Sequence, residues 1–241
     1  MNGIHVGIIM DGNGRWASRN GQPRWRGHVA GVDAVRDVVE GAPDLGISTL
    51  TLFAFSTDNW KRPPTEVGRL FWLLRNYCQH ERAELIDNGV RVTAIGRRDR
   101  MPRSALQELE KTEQETAGGR RLHLRLAIDY GARSAIATAA RTLAASVARG
   151  ELHESEITPD RLHQELTGGV PDPDLIVRTA GEQRLSDFLL WEAAYAEYVF
   201  TDTLWPDFRR ADLAVALSEF SQRERRFGSL QSVRGAGRLV G

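Results

Sequence analysis

Cysteine is almost absent from this chain of 241 residues, and the single Cys78 excludes an internal disulfide. It falls in an apolar helical stretch, so it reads as buried filler rather than as a nucleophile. Neither sign of charge is in excess: 32 Lys plus Arg balance 32 Asp plus Glu, so nothing marks nucleic acid as a partner. No apolar run approaches the length that spans a bilayer. The chain does not open on a charged segment followed by a long apolar stretch, as a signal peptide does. A cytoplasmic protein is expected, with at most a peripheral membrane contact. Also missing are a Gly-Lys-Ser/Thr phosphate loop, a Gly-x-Gly-x-x-Gly after the first strand, and any Ser-His-Asp or Cys-His spacing. Their absence argues against P-loop hydrolysis, dinucleotide binding and nucleophilic catalysis. No internal repeat and no linker divides the chain.

What is present begins between Ile8 and His28. The run His5–Met10 reads as a buried strand, and it ends abruptly in Asp11-Gly12-Asn13-Gly14-Arg15-Trp16. The two glycines permit a tight turn and leave backbone N–H groups unobstructed. Helical pattern follows from Arg15. A strand, a Gly-rich turn and a helix start make a phosphate cradle. Asp11 is out of place there unless a cation stands between it and a phosphate, and Mg²⁺ is the usual one. Arg15, Arg24 and His28 can neutralise the remaining negative charge.

Apolar runs and amphipathic stretches then alternate. Helical pattern runs from Gly27 to Asp44, with Val32, Val35, Val38 and Val39 on one face. Further strands are expected at Ser48–Phe55, Val90–Ile95, Leu122–Ile128, Asp174–Val177 and Tyr198–Thr201. Helices are expected from Pro64 to about Asn88, from Met101 to Thr116, from Gly131 to Arg149, after Thr158-Pro159, over Phe188–Ala196, and from Phe208 to Arg225. The pattern predicts an α/β fold, a single domain with one open, mostly parallel sheet of six strands and helices on both faces. The domain is read as residues 1–228, followed by a flexible Gly- and Ser-rich tail, 229–241. Ligands bind beyond the carboxyl ends of such strands. Four polar clusters should converge there: Asp11–Arg15, Ser56–Arg62, Asp129–Arg133 and Arg178–Ser186.

The inventory on that rim is Arg15, Arg24, Arg62, Arg178, Arg184, His28, Ser186, Asn59, and the carboxylates Asp11 and Glu197. Arginine forks match phosphate oxygens bidentately, and this many cations suit two diphosphate-bearing ligands side by side.

Several ordered stretches carry a resemblance. They are Ile9-Met-Asp11-Gly-Asn-Gly-Arg15-Trp-Ala17, Gly27-His28-x-x-Gly31, Phe53-Ala-Phe-Ser56-Thr-Asp-Asn59-Trp-Lys-Arg62-Pro63, and Asp174-Leu-Ile-Val-Arg178-Thr-Ala-Gly-Glu-Gln-Arg184-Leu-Ser186, with Tyr195-x-Glu197 beyond. They resemble the signature blocks of the cis-prenyltransferases, the undecaprenyl diphosphate synthase family, from His5 to Gly228. The resemblance implies a six-stranded, mostly parallel sheet ringed by helices, and transfer of isoprenyl groups between diphosphate substrates. It implies that Asp11 helps to hold Mg²⁺, with Glu197 in the same metal environment. Gly12, Asn13, Gly14, Arg15, Arg24 and Arg62 would bind the allylic diphosphate, with His28, Trp16 and Ser56 nearby. Asn59 would sit near the reacting carbons, and Trp60 would pack beside the site. Arg178, Arg184 and Ser186 would bind the attacking diphosphate substrate. Arg226-Phe-Gly228 resembles a C-terminal Arg-x-Gly that reaches the second site across a homodimer interface.

The chain departs from the family pattern at strand ends. Arg97 stands where Asp is usual, Asp129 where Asn is usual, Asp187 where Asn is usual, Gln183 where a His is often found, and Arg125 where the family is neutral. These changes suggest an altered pose for the second substrate. The resemblance implies an apolar tunnel for the growing chain, walled by the helix after Pro64, and crowding at Leu70, Phe71, Leu73 and Leu74, with Val32 and Val35 opposite, predicts that it stops growth after one or two condensations. Trp72 points elsewhere, to the core or a dimer contact. The alternatives are irregular head-to-middle coupling to a lavandulyl-type diphosphate, and a non-catalytic partner subunit of such an enzyme.

Overall fold

A computed structural model of the chain describes residues 3–223. Six strands make one sheet: β1 (Ile4–Ile9), β2 (Ile47–Ser56), β3 (Val90–Ile95), β4 (Leu122–Tyr130), β5 (Leu175–Arg178) and β6 (Glu197–Phe200). Their order is β3-β4-β2-β1-β5-β6, and each neighbouring pair runs parallel. The sheet is thus wholly parallel, and the strand order reverses around β1 and β2. This is the place where crossovers leave to opposite sides and a crevice opens at the strand ends.

The near-continuous apolar strands are buried on both faces, as a parallel sheet requires. On one face Val6, Ile8, Leu50, Leu52, Leu124, Leu126 and Val177 meet four helices. These are α2 (Arg24–Gly41), α3 (Pro64–His80), α5 (Arg103–Glu115) and α8 (Arg210–Gln222). On the other face Ile9, Ala127, Tyr130 and Ile176 pack under Phe188, Leu189 and the start of α6 (Ala132–Ala148). The short helices α1 (Asn13–Arg19), α4 (Arg82–Asp87) and α7 (Pro159–Thr167) complete the set among the described residues.

Local chemistry explains most boundaries. α7 starts where Thr158 Oγ1 accepts from Arg161 N at 3.2 Å, and stops at Gly168 with φ 62°. Two expected helices are corrected. The segment from Pro64 to Asn88 is not one helix: it divides at Glu81, whose carboxylate takes both arms of Arg36 at 2.6 and 2.9 Å. Phe188–Ala196 is not an α-helix: Leu189 has φ 44°, and only a short 3-10 turn forms, Glu192–Tyr195. Burying Phe188 and Leu189 against the sheet outweighs helical periodicity there. Smaller shifts move α2 to start at Arg24 and α8 at Arg210. Cys78 is buried filler as expected, with its thiol pushed up to about 11 by burial. Trp72 is 54% exposed, which removes it from the core. No helix among the described residues is long and apolar enough to cross a membrane. The tail from Ser229, with Arg226 and Gly228, lies outside the described residues.

Candidate active site

β1 delivers Asp11 to the rim, and the backbone turns sharply at Gly12, φ 105°. The close approach that follows needs Gly27: a Cβ there would stand 1.9 Å from the Asn13 carbonyl oxygen. Thr179 ties the neighbouring β5 end to this turn. Its Oγ1 accepts from Asp11 N at 2.9 Å and donates to the Asp11 carbonyl at 2.7 Å. The Asp11 carboxylate accepts from Gly12 N at 2.7 Å and from Arg178 Nη2 at 2.9 Å, and Arg15 stands at 3.7 Å.

Arg178 is the centre of the second cluster. Its side chain is only 4% exposed. Nη1 donates to Ser186 Oγ at 2.8 Å and to the Arg184 carbonyl. Its Nε is buried without a hydrogen-bond partner among the described residues, a state that an anion or water would relieve. The loop beyond holds this geometry under strain: Ala180, Ser186, Asp187 and Leu189 all have positive φ, from 44° to 72°. Arg184 is exposed and pairs with Glu182, which also stands 3.5 Å from Arg15. Asp11, Arg15, Arg178, Arg184 and Ser186 therefore form one group.

The other cluster surrounds a cavity of about 220 Å³ between the sheet, α2 and α3. Its polar mouth is Asp11, Gly12, Asn13, Gly14, Arg24, His28, Asn59 and Arg62. Its interior is apolar: Val32, Val35, Leu52, Phe55, Leu70, Phe71, Leu73, Leu74 and Tyr77. Leu70, Leu73 and Leu74 do share the inward face of α3. The Arg24 guanidinium lies against Gly14, where a Cβ would meet Cζ at 3.1 Å. Arg62 pairs with Glu66 at 3.0 Å, and Arg24 and His28 each stand 3.9 Å from the same carboxylate. Burial, then the neighbouring Arg62, lowers His28 to about 4. His28 is therefore neutral at pH 7 and does not supply the positive charge expected of it.

Other expected residues are placed behind these groups. Trp16 does not line the cavity; its indole donates to Asp207 at 2.7 Å and ties α1 to the turn Trp205–Asp207. Ser56 caps the 3-10 turn Thr57–Lys61, accepting from Asp58 N at 3.1 Å, while Ser56 N donates to Asn59 Oδ1 at 3.1 Å. Trp60 stands behind the wall, against Phe55 and Phe71. Glu197 and Asp11 do not meet within the chain. Glu197 pairs with Leu175 and Leu175 with Val6, so it lies at the opposite end of the sheet from Asp11. There it binds Arg223 at 3.0 Å. Of the departures, Gln183 and Asp187 lie in the loop of the second cluster, where the Asp187 carboxylate accepts from Arg133 N at 3.0 Å, and the other three lie elsewhere. Arg97 is exposed and paired with Asp99, and Arg125 is buried below the strand ends. Asp129 faces Trp60 and Arg100.

Sequence reasoning missed Glu66, Thr179 and Arg100. Glu66 was open to notice, since it follows Arg62 by four residues at a helix start. Thr179 acts from the end of β5 and Arg100 from the turn between β3 and α5, and neither carried a local signal.

No group of three or more His, Cys, Asp or Glu residues able to enclose a metal occurs among the described residues. The donor set still fits Mg²⁺ of one kind. Asp11, a third exposed at the mouth, offers one hard carboxylate, and Mg²⁺ is commonly held by one or two carboxylates, substrate phosphates and water.

Two cationic clusters that meet at Asp11, one of them at the mouth of an apolar cavity, suit a protein that grips anionic headgroups and buries hydrocarbon. Comparisons agree with that class. The family model described as "Putative undecaprenyl diphosphate synthase" matches residues 9–228. Isoprenyl transferase 1 of Bradyrhizobium diazoefficiens is 55% identical over 232 residues, 95% of this chain and 91% of the relative. Isoprenyl transferase of Agrobacterium fabrum is 50% identical over 94% of this chain and 92% of its own. The crystal structure of lavandulyl diphosphate synthase from Lavandula x intermedia, in complex with dimethylallyl diphosphate, superimposes with a TM-score of 0.91 at 35% identity, covering 95% of this chain and 99% of that one. The structure of a "probable undecaprenyl diphosphate synthase" from Campylobacter jejuni gives 0.78 at 33%, covering 95% and 100%. The chain belongs to the undecaprenyl diphosphate synthase family, the cis-prenyltransferases, and is a prenyltransferase.

Proposed function

We propose that this chain is a short-chain isoprenyl diphosphate synthase that joins C5 prenyl diphosphates, dimethylallyl and isopentenyl diphosphate, with loss of diphosphate. The observation that carries the chain length is the cavity: about 220 Å³, below the roughly 300–1,000 Å³ of sites that bury drug-sized ligands. Leu70, Phe71, Leu73 and Leu74 close it on the α3 side. Such a wall stops growth after one or two condensations, at about ten to fifteen carbons, because overfilling a packed wall costs about 1–3 kcal/mol.

In this reading Arg24, Arg62 and the backbone of Gly12–Arg15 hold the allylic diphosphate at the cavity mouth. Glu66 is the counter-ion that these cations exchange for the ligand. Asn59 stands beside the reacting carbons. Arg178, Arg184 and Ser186 hold the attacking substrate, with Arg178 already oriented by Asp11. Asp11 is the residue that would hold Mg²⁺ against the substrate oxygens; Glu197 is left out of that site within one chain. Bound Mg²⁺ supplies Lewis-acid stabilisation of the leaving diphosphate. The allylic C1–O bond breaks toward a cation, and the arginines meet the charge that develops on the departing group. The apolar wall keeps water from that cation. The second substrate's double bond attacks C1, and the proton it sheds passes to diphosphate. A homodimer is part of the proposal: Leu190, Tyr195 and Phe200 expose apolar surface beside edge strand β6. The cytoplasm is the proposed compartment.

One observation favours a second reading. The lavandulyl diphosphate synthase fold fits at 0.91, and irregular head-to-middle coupling of two dimethylallyl diphosphates would use the same two clusters. One experiment separates the readings: incubation with Mg²⁺ and dimethylallyl diphosphate, alone and with isopentenyl diphosphate, followed by mass spectrometry and NMR. A regular C10 or C15 product only with both substrates supports the first. A branched C10 from dimethylallyl diphosphate alone supports the second. Products of eight or more isoprene units refute the short cavity.

A further inference from the structure

Asp129 is the extra residue of a β-bulge. Along β2 and β4 the register runs Phe53 to Ala127, Phe55 to Ile128 and Ser56 to Tyr130, so Ala54 and Asp129 are skipped. Asp129 takes φ 48°, a left-handed conformation that Asp tolerates better than most residues. A bulge beside a functional site re-aims one side chain. Here it sends a carboxylate, with side-chain exposure of 0%, toward Trp60. Oδ1 accepts from Trp60 Nε1 at 2.9 Å, and Oδ2 accepts from Arg100 Nε at 2.8 Å. A second Arg100 nitrogen donates to Oδ1, and the guanidinium lies 5.1 Å above the Trp60 ring. The indole is gripped at its edge by the carboxylate and on its face by the cation.

Trp60 does not line the cavity, but the two rings it touches do. It meets Phe55 at 5.4 Å and Phe71 at 5.5 Å, and those two stand 4.9 Å apart. Trp60 also sits between Asn59 and Arg62, both at the cavity mouth. We propose that Arg100 and Asp129 are positioning residues that fix Trp60, and through it the aromatic wall and mouth of the cavity, so that they help to decide how the prenyl chain is seated and how long it grows. This rests on the prenyl diphosphate reading given above.

The test is a double-mutant cycle through Trp60. Asp129→Asn removes the charge that holds Arg100, and Arg100→Leu removes the cation. Each is made in the wild-type and in a Trp60→Phe background, which keeps a ring but loses the indole N–H. Two quantities are read: equilibrium binding of geranyl diphosphate, and product length with dimethylallyl and isopentenyl diphosphate. Each single variant should weaken binding about tenfold or more, the lower end of one lost charge-assisted hydrogen bond, and shift product length by an isoprene unit. Arg100→Lys, which keeps charge but not the fork, should recover part of both and carries the test if Asp129→Asn does not fold. In the Trp60→Phe background the same substitutions should add nothing. Effects of equal size in both backgrounds would overturn the clamp. So would loss of thermal stability with binding and product unchanged. Wild-type protein that binds geranyl diphosphate, shows the coupling through Trp60 and makes no product would overturn the catalytic reading instead, and leave the clamp standing.

Discussion

Arg178 and Arg184 stand six residues apart in one loop, yet they should respond differently to removal. Arg178 is 4% exposed and makes three contacts within the chain: Asp11 at 2.9 Å, Ser186 at 2.8 Å and the Arg184 carbonyl. Arg184 is 60% exposed, and its side chain pairs with Glu182 alone among the described residues. Replacing Arg178 by Ala therefore takes away both a ligand contact and the support of the loop. Breaking a buried pair costs about 3–5 kcal/mol when the remaining charge is stranded. Asp11 is a third exposed and keeps Gly12 N at 2.7 Å, so about 2–3 kcal/mol is the better expectation. In a domain of this size that lowers Tm by roughly 5–10 °C. Arg184→Ala should leave Tm within about 1 °C, as exposed substitutions do.

Steady-state kinetics then separate the roles. In the proposed reading each arginine offers the attacking substrate a charge-assisted contact of about 1.5–3 kcal/mol, or about 10- to 150-fold in kcat/KM. The loss should appear as a raised KM for isopentenyl diphosphate, with KM for the allylic substrate changed by less than about threefold. Arg178→Lys is the sharper control. It keeps the charge but cannot reach Asp11 and Ser186 together, so it should recover stability more than it recovers KM. Equal weakening toward both substrates would refute the division into two subsites. An unchanged Tm for Arg178→Ala would refute the argument from burial.

Three further outcomes are expected. Asp11→Ala should lower turnover by orders of magnitude in a protein that still folds but melts several degrees lower, because it strands the buried Arg178 guanidinium; near-normal activity, or full activity in EDTA, would sink the Mg²⁺ role. Leu74→Ala should lengthen the product by at least one isoprene unit and cost about 2–3 kcal/mol in denaturant titrations, and an unchanged product would mean that α3 does not set the limit. Stability should fall as pH drops from about 6.5 toward 4, because burial lowers His5, His28 and His123 each to about 4 and the unfolded chain takes up their protons first. For His5, held between Thr51 at 2.8 Å and the Pro171 carbonyl at 2.7 Å, the difference amounts to about 3 kcal/mol, present in full above pH 6.5; a flat pH–Tm profile across that window would contradict it.

The strands were legible because a parallel sheet buried on both faces needs continuous apolar runs, and those runs stop where the polar rim begins. Val177 gives way to Arg178 and Met10 to Asp11 at the same end of adjacent strands, which follows from parallel pairing alone. The failures have equally local causes. Helical spacing over Phe188–Ala196 was real, but Phe188 and Leu189 bury completely against Phe53 and the second face of the sheet, and the backbone reaches that packing only through positive φ. The break at Glu81 has no Gly or Pro nearby to announce it. Charge was misread at His28 because ionisation follows burial, and the sequence carries the imidazole without its surroundings.

Asp129 shows why substitutions near a site resist reading from sequence. As a strand-end residue it belongs beside the rim, and a charge there suggests contact with substrate. One skipped register position changes which way it faces. The bulge keeps Ile128 with Phe55 on the cavity side and passes Tyr130 to the other face, against Phe53 and Phe188. Asp129, between them, answers to neither alternation and turns to Arg100 and Trp60. A carboxylate buried this deeply is tolerable only with a cation in hydrogen-bond contact, so Asp129 and Arg100 have to be read as a pair. Their influence on chemistry then runs through an indole that touches no reacting atom. If the clamp holds, chain length in this enzyme is set as much by what stands behind the wall as by the residues that line it.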